Sequence, residues 1–201
     1  MKSTLYTLAA VLFLLLITQP PVWARSGQQA PSDTLTGQQL NDFHDEALRR
    51  IDQFVDYLAV IADKQRSFEE RNDAIKATML MFEQNATIEV SSTTTGKVST
   101  LPLRRYLEKL KTLPYSKVQI SNFNAARLSD WKKQPDGSYY AVGQYFQDFR
   151  AWRDGKPLAG DRTTKKIDAD LRIREDPFFK DKHWMVLFRN ITVKSSQRTD
   201  L

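Results

Sequence analysis

From Tyr139 onward the sequence alternates in a period of two, and that period constrains the fold more than any other feature. Tyr139 to Trp152, Arg162 to Arg174 and His183 to Lys194 each read as a long strand. Asp154-Gly155 and the segment from Glu175 to Lys182 supply the turns between them. Three long neighbouring runs joined by short turns predict an antiparallel meander, with the upstream chain left to cover one face of it.

The faces follow from the period. An even-numbered turn at Asp154-Gly155 sets even residues of one strand beside odd residues of the next. Tyr140, Val142, Phe146 and Trp152 then share a core face with Ile167, Ala169, Leu171 and Ile173. The opposite face mixes Tyr139, Tyr145 and Phe149 with Arg162, Thr164, Lys166, Asp168, Asp170 and Arg172.

Upstream, the period changes to that of helices. Leu40, Phe43, Ala47, Leu48, Ile51, Phe54, Val55, Leu58 and Ile61 form one apolar stripe, which predicts a helix beginning near Thr36. Ser67-Phe-Glu-Glu70 fits a capping box and opens a second helix carrying Ile75, Met79 and Phe82. Asn85 to Ser92 alternates and predicts a short strand, and Ser91 to Ser99 reads as a polar loop. A third helix is expected from Pro102 to Thr112, with Leu103, Tyr106, Leu107 and Leu110 on one side. Lys117 to Trp131 is strand-like but changes phase once, as a bulge requires.

The first 24 residues have the pattern of a signal peptide. Lys2 precedes an apolar run from Leu8 to Ile17, Pro20 and Pro21 break it, and Val22-Trp23-Ala24 suits cleavage after Ala24. The run is shorter than the roughly 20 apolar residues a membrane span needs. The expected organisation is a signal peptide at 1–24, a flexible leader at 25–35, one domain at 36–195 and a polar tail at 196–201. The chain is then exported, periplasmic or extracellular. It contains no cysteine, which excludes disulfides, thiol catalysis and thiolate metal sites. Its formal charge of +6 falls to +5 (6 − 1) on loss of Lys2, too modest to point to nucleic acid.

The order helix, helix, strand, helix and long bent strands resembles the nuclear transport factor 2-like superfamily, also called ketosteroid isomerase-like or SnoaL-like. The likeness covers Leu35 to about Ser195. It implies an α+β cone fold, in which three N-terminal helices close a strongly curved antiparallel sheet around a pocket. Tyr145-Phe-Gln-Asp-Phe149, Arg153-Asp-Gly-Lys-Pro157 and Asp161-Arg-Thr-Thr-Lys-Lys166 also look like a run in uncharacterised exported bacterial proteins, a likeness that carries no activity. Enzymes of the superfamily place an Asp base with Tyr, Asp or His partners in the cone, and no such set aligns here residue by residue.

On the predicted core face, Tyr140, Phe146, Asp148, Arg150, Trp152 and Lys165 are the candidate ligand-binding set, with Thr163 beside Lys165. The charged members would hold a polar head and the aromatic ones an apolar body. Asp148 as base and Tyr140 as oxyanion donor are the candidate catalytic pair for an isomerase- or dehydratase-type reaction. Tyr145, Phe149 and Lys166 are the candidate partner interface, most simply of a homodimer. Arg150, Arg153, Lys156, Arg162, Lys165 and Lys166 form a basic cluster around the 150–166 hairpin that could meet an anionic surface, offset by Asp148, Asp154 and Asp161. His44 and His183 form no metal motif, and neither a metal nor another cofactor is expected. The resulting expectation is an exported, non-catalytic cone-fold domain of the bacterial cell envelope that binds a small ligand or a protein partner.

Overall fold

The computed structural model describes residues 34–92, 95–175 and 180–199. The expected signal peptide and nearly all of the expected leader lie outside these residues. Within them the elements are α1 (Gly37–Ala62), α2 (Phe68–Leu80), β1 (Thr87–Ser91), β2 (Val98–Pro102), α3 (Leu103–Lys111), β3 (Lys117–Leu128), β4 (Lys132–Lys133), β5 (Tyr139–Arg153), β6 (Lys156–Glu175) and β7 (Lys182–Arg198). The strands form one sheet in the order β2-β1-β7-β6-β5-β3, with β4 pairing to β5 outside that path. Neighbours are antiparallel except for β1 and β7, which run parallel. Helices packed on one face of a curved, largely antiparallel sheet give the α+β class and cone-like architecture expected.

Local chemistry fixes the helix starts. At α1 the Thr36 hydroxyl accepts from the Gln39 N–H while the Gln39 side chain accepts from the Thr36 N–H. Ser67 and Glu70 make the same reciprocal pair at α2. The predicted stripe of α1 lies against the sheet: Ala47, Ile51, Phe54, Val55, Leu58 and Ile61 are buried. Each of the large side chains contributes roughly 1.5–3 kcal/mol by leaving water. Phe54 joins the layers, its ring 5.1 Å from Phe82 and 5.9 Å from Tyr145.

The chain just before α1 is also fixed. Leu35 is buried, and its N–H donates to the Tyr139 hydroxyl at 3.2 Å. β2 begins within the expected loop at 91–99; it is the sheet's edge strand, exposed along most of its length, and shows no alternating burial for a period of two to reveal. β6 and β7 run further than expected for a related reason. Their extra residues are held by backbone pairing, as at Asp161 with Arg198, and many face water.

The phase of β5 differs from the sequence reading. The turn at Asp154-Gly155 behaves as expected, pairing Arg153 with Lys156 and Trp152 with Pro157. The register then shifts, Ala151 pairs with Ala159, and Leu158 is left without a partner. One unpaired residue moves every later side chain to the other face. Odd residues of β5 therefore share the helix-covered face with odd residues of β6: Tyr139 with Leu171, Ala141 with Ala169, Gly143 with Ile167 and Tyr145 with Lys165. The β6 half of the predicted face stands, and the β5 half is reversed. β3 carries two register shifts against β5, between Asn122 and Asn124 and between Asn124 and Arg127, where a single change of phase was expected.

Gly143 permits the close approach of helix to sheet. A Cβ there would lie 2.6 Å from Ile167 Cγ2 and 2.8 Å from Ile51 Cδ1. Ile167 Cγ2 branches directly from its own Cβ and cannot swing away cheaply. Gly143→Ala should cost about 1–3 kcal/mol by overpacking. Gly37→Ala, at the open start of α1, should change stability by less than about 0.5 kcal/mol. Urea denaturation of both variants checks the contrast, and equal stability would contradict the packing described.

Candidate functional site

Along the helix-covered face β6 changes character. Leu171, Ala169 and Ile167 are core, whereas Lys165, Thr163 and Asp161 continue the same alternation as buried polar groups. On β5, Gln147 and Phe149 follow Tyr145 on this face. The polar stretch lies under α3 and the β1–β2 hairpin and lines a cavity of about 440 Å³. Tyr106, Tyr115, Phe149, Leu101 and Leu110 supply its apolar walls; Lys165, Asp161, Thr163 and Gln147 are its buried polar groups, with Ser91, Ser92, Ser99 and the exposed Lys109 at its rim. A cleft of about 570 Å³ between the end of α1 and β3 is larger, but its lysines, Lys64 and Lys117, are exposed.

Lys165 is the unusual group. It is 3 % exposed, its ammonium donates to the Glu89 carbonyl oxygen at 3.3 Å, and it makes no ion pair among the described residues. The Tyr106 ring lies below it, with Nζ 5.8 Å from the centroid. Burial pushes the Lys165 amine down from its ordinary value to about 8, against opposing effects of Asp161 and then Glu89. In the pairing of β6 with β7 the register shifts between Thr164 and Lys165, which places an irregularity beside it.

The other polar groups are partly engaged. Thr163 donates to Asp161 Oδ2 at 2.6 Å, and Ser196 donates to the same oxygen at 3.3 Å. The Glu89 carboxylate accepts from the Val193 N–H at 2.7 Å. Burial holds the Tyr106 phenol above its usual range, with a smaller effect of Asp161 in the same direction. Gln147 Oε1 is buried without a hydrogen-bond partner. An amine, a carboxylate, a hydroxyl and an amide therefore meet between aromatic walls. The set can hold an anionic or carbonyl oxygen at Lys165 and a flat apolar body against the rings.

Of the predicted ligand set, only Lys165 lines this cavity. The Leu158 bulge puts Tyr140, Phe146, Asp148, Arg150 and Trp152 in the other phase of β5, on the outer face. There the Asp148 carboxylate pairs with Arg150 at 3.1 Å and Arg162 at 3.6 Å, while the Tyr140 hydroxyl donates to Asp168 at 2.8 Å. Phe146 lies 5.6 Å from Phe123, with the Arg127 guanidinium 5.7 Å from its centroid. The predicted partner set is also divided. Tyr145 is fully buried in the core, Phe149 lines the cavity, and Lys166 is exposed on the outer face. Arg150, Arg153, Lys156, Arg162 and Lys166 remain exposed around the hairpin, and Lys165 leaves that basic cluster.

Asp161, Gln147, Tyr106 and Tyr115 were not foreseen as lining residues. The signal was the odd-numbered alternation of β6, which continues from Leu171 through Lys165 to Asp161 without a change of phase.

No family model matches the chain, and no curated protein sequence matches it significantly. Among solved structures, one similar chain is a "Putative Scytalone Dehydratase" from Novosphingobium aromaticivorans, at 8% identity, with a TM-score of 0.40, covering 82% of this chain and 93% of that one.

The ionisation of Lys165 has a measurable consequence. Its folded value lies below the ordinary 10.5, so between about 8 and 10.5 the unfolded chain binds the extra proton. Stability contributed by this group therefore rises with pH across that window, and below it the full cost of charging a buried amine is present. Lys165→Met should be more stable than the parent near neutral pH by up to about 3 kcal/mol. The advantage should vanish as pH approaches 10.5. Urea unfolding of both proteins across this range gives the difference, and a pH-independent gap would contradict the burial of a titrating amine.

Proposed function

We propose that the chain is an exported cone-fold domain of the nuclear transport factor 2-like kind. Its mouth cavity binds a small ligand with an anionic group and a flat apolar body. The observation that carries this reading is the buried Lys165 amine, unpaired by any carboxylate among the described residues and facing a cavity walled by Tyr106, Tyr115 and Phe149. A charge held out of water and only partly offset by Asp161 and Glu89 is costly, and an anionic ligand would reduce that cost. The aromatic walls favour a ring over a flexible chain.

Binding without turnover is the simpler form of this proposal. A reaction of isomerase or dehydratase type would need its carboxylate inside the cavity. Asp148 stands outside with two arginines, and Asp161 is the carboxylate that lines it.

Export is carried by the pattern of Lys2, Leu8 to Ile17 and Val22-Trp23-Ala24. Among the described residues no helix is long and apolar enough to cross a membrane. Expressed from its own start in a secreting bacterium, the mature protein should begin at Arg25. Intact-mass measurement checks this, and a retained Met1 would contradict it.

Benzoate is a suitable first ligand. Titration followed through the ring resonances of Tyr106, Tyr115 and Phe149 should show saturable binding. Lys165→Met should weaken it about tenfold or more, the loss of a charge-assisted contact. Asp148→Asn on the outer face should leave it within about twofold, since Asp148 does not line the cavity. Equal losses in the two variants, or resonance shifts confined to the outer face, would overturn the assignment of the cavity.

A further inference from the structure

We infer that Lys165 captures small aromatic aldehydes or ketones covalently, as an imine on its Nζ atom. This deepens the ligand reading above and rests on the same cavity. Three observations carry it. Lys165 is enclosed, with a single hydrogen bond to a backbone carbonyl and no ion pair among the described residues to hold its proton. It opens on a cavity of about 440 Å³ rather than on packed side chains. The same cavity holds a carboxylate, Asp161, already in contact with two hydroxyl donors, and an unpartnered amide oxygen, that of Gln147.

The chemistry needs no reagent beyond the ligand. The neutral amine attacks the carbonyl carbon, a C–N bond forms, and the C=O π pair moves to oxygen, which takes up a proton. The nitrogen loses a proton to give the neutral carbinolamine. A second protonation of the oxygen lets it leave as water while the nitrogen lone pair forms C=N, and loss of the remaining N–H proton returns the proton taken up and leaves the neutral imine. The balance is one carbonyl and one amine to one imine and one water, with no change in oxidation state. Asp161 is placed in the cavity to relay these protons, and the Tyr106, Tyr115 and Phe149 rings to hold an aromatic ring.

Burial favours the neutral amine at the pH where exposed lysines are almost wholly charged. Near pH 7 the free-amine fraction of Lys165 should exceed that of an exposed lysine by on the order of a hundredfold. Lys166, its exposed neighbour on the outer face, is the internal comparison.

The test incubates the whole protein with benzaldehyde, traps any imine with sodium borohydride, and maps the benzylated lysines by peptide mass spectrometry. The expected result is labelling at Lys165 at least tenfold above Lys166, suppressed by saturating benzoate and absent at position 165 in Lys165→Arg. Labelling spread evenly over the lysines would overturn the inference, as would an unlabelled Lys165 in protein that still binds benzoate. The second outcome would leave the anion-binding reading intact. Loss of both labelling and benzoate binding would remove the two together.

Discussion

Leu158 pairs with nothing on β5, and the content of the cavity depends on that one residue. Beyond it, each side chain of β5 lies on the face opposite to the one that the turn alone would give it. The consequence for packing is that small residues, Ala141 and Gly143, come beneath α1, where Ile51 can approach closely. The consequence for chemistry is that Asp148 and Arg150 leave the helix-covered face, and Asp161, which makes no ion pair with Lys165, is the carboxylate left in the cavity with it. The Asp148 charge is instead neutralised outside by Arg150 and Arg162.

The cavity is the place where the core runs out. The helix-covered face is closed by α1, which packs chiefly against β3 and over β5, with Ile51 above Gly143 and Phe54 against Tyr145. Towards Asp161 the cover passes to the short α3 and to the β1–β2 hairpin, which shield polar groups without filling the space. A lysine held there loses more hydration than its one carbonyl contact returns, which is why its amine is pushed down to about 8. The structure accepts that cost at a position bordering empty space, where a ligand can offset it. A lysine kept only for stability would more simply have been a methionine or leucine.

Much of the fold was legible because it rests on periodicities that burial enforces. The α1 stripe, the capping box at Ser67 and the three long strands each repeat a pattern that only one packing satisfies. The edge strand β2 and the outer ends of β6 and β7 were not legible, since backbone pairing holds them and their side chains carry little alternation. The site was half legible. Lys165 was named, and its place beside Thr163 on the face of Ile167 was correct. The β5 residues assigned with it were wrong by one phase, because Leu158 is an ordinary exposed leucine near a hairpin and nothing in its identity marks a bulge. Tyr106 was read as part of a helix stripe, as it is, but a stripe does not reveal that its outer end borders a cavity.

The most direct test of this account is whether Lys165 shares a face with Tyr106 or with Phe146. A nuclear Overhauser spectrum of the folded protein, with the Lys165 methylene protons assigned, decides it. Cross-peaks from those protons to the Tyr106 ring, and none to Phe146 or Phe123, are predicted. Cross-peaks to Phe146 beside those to Tyr106 would mean that the Leu158 bulge is absent, and cross-peaks to Phe146 in place of Tyr106 would take Lys165 out of the cavity described here.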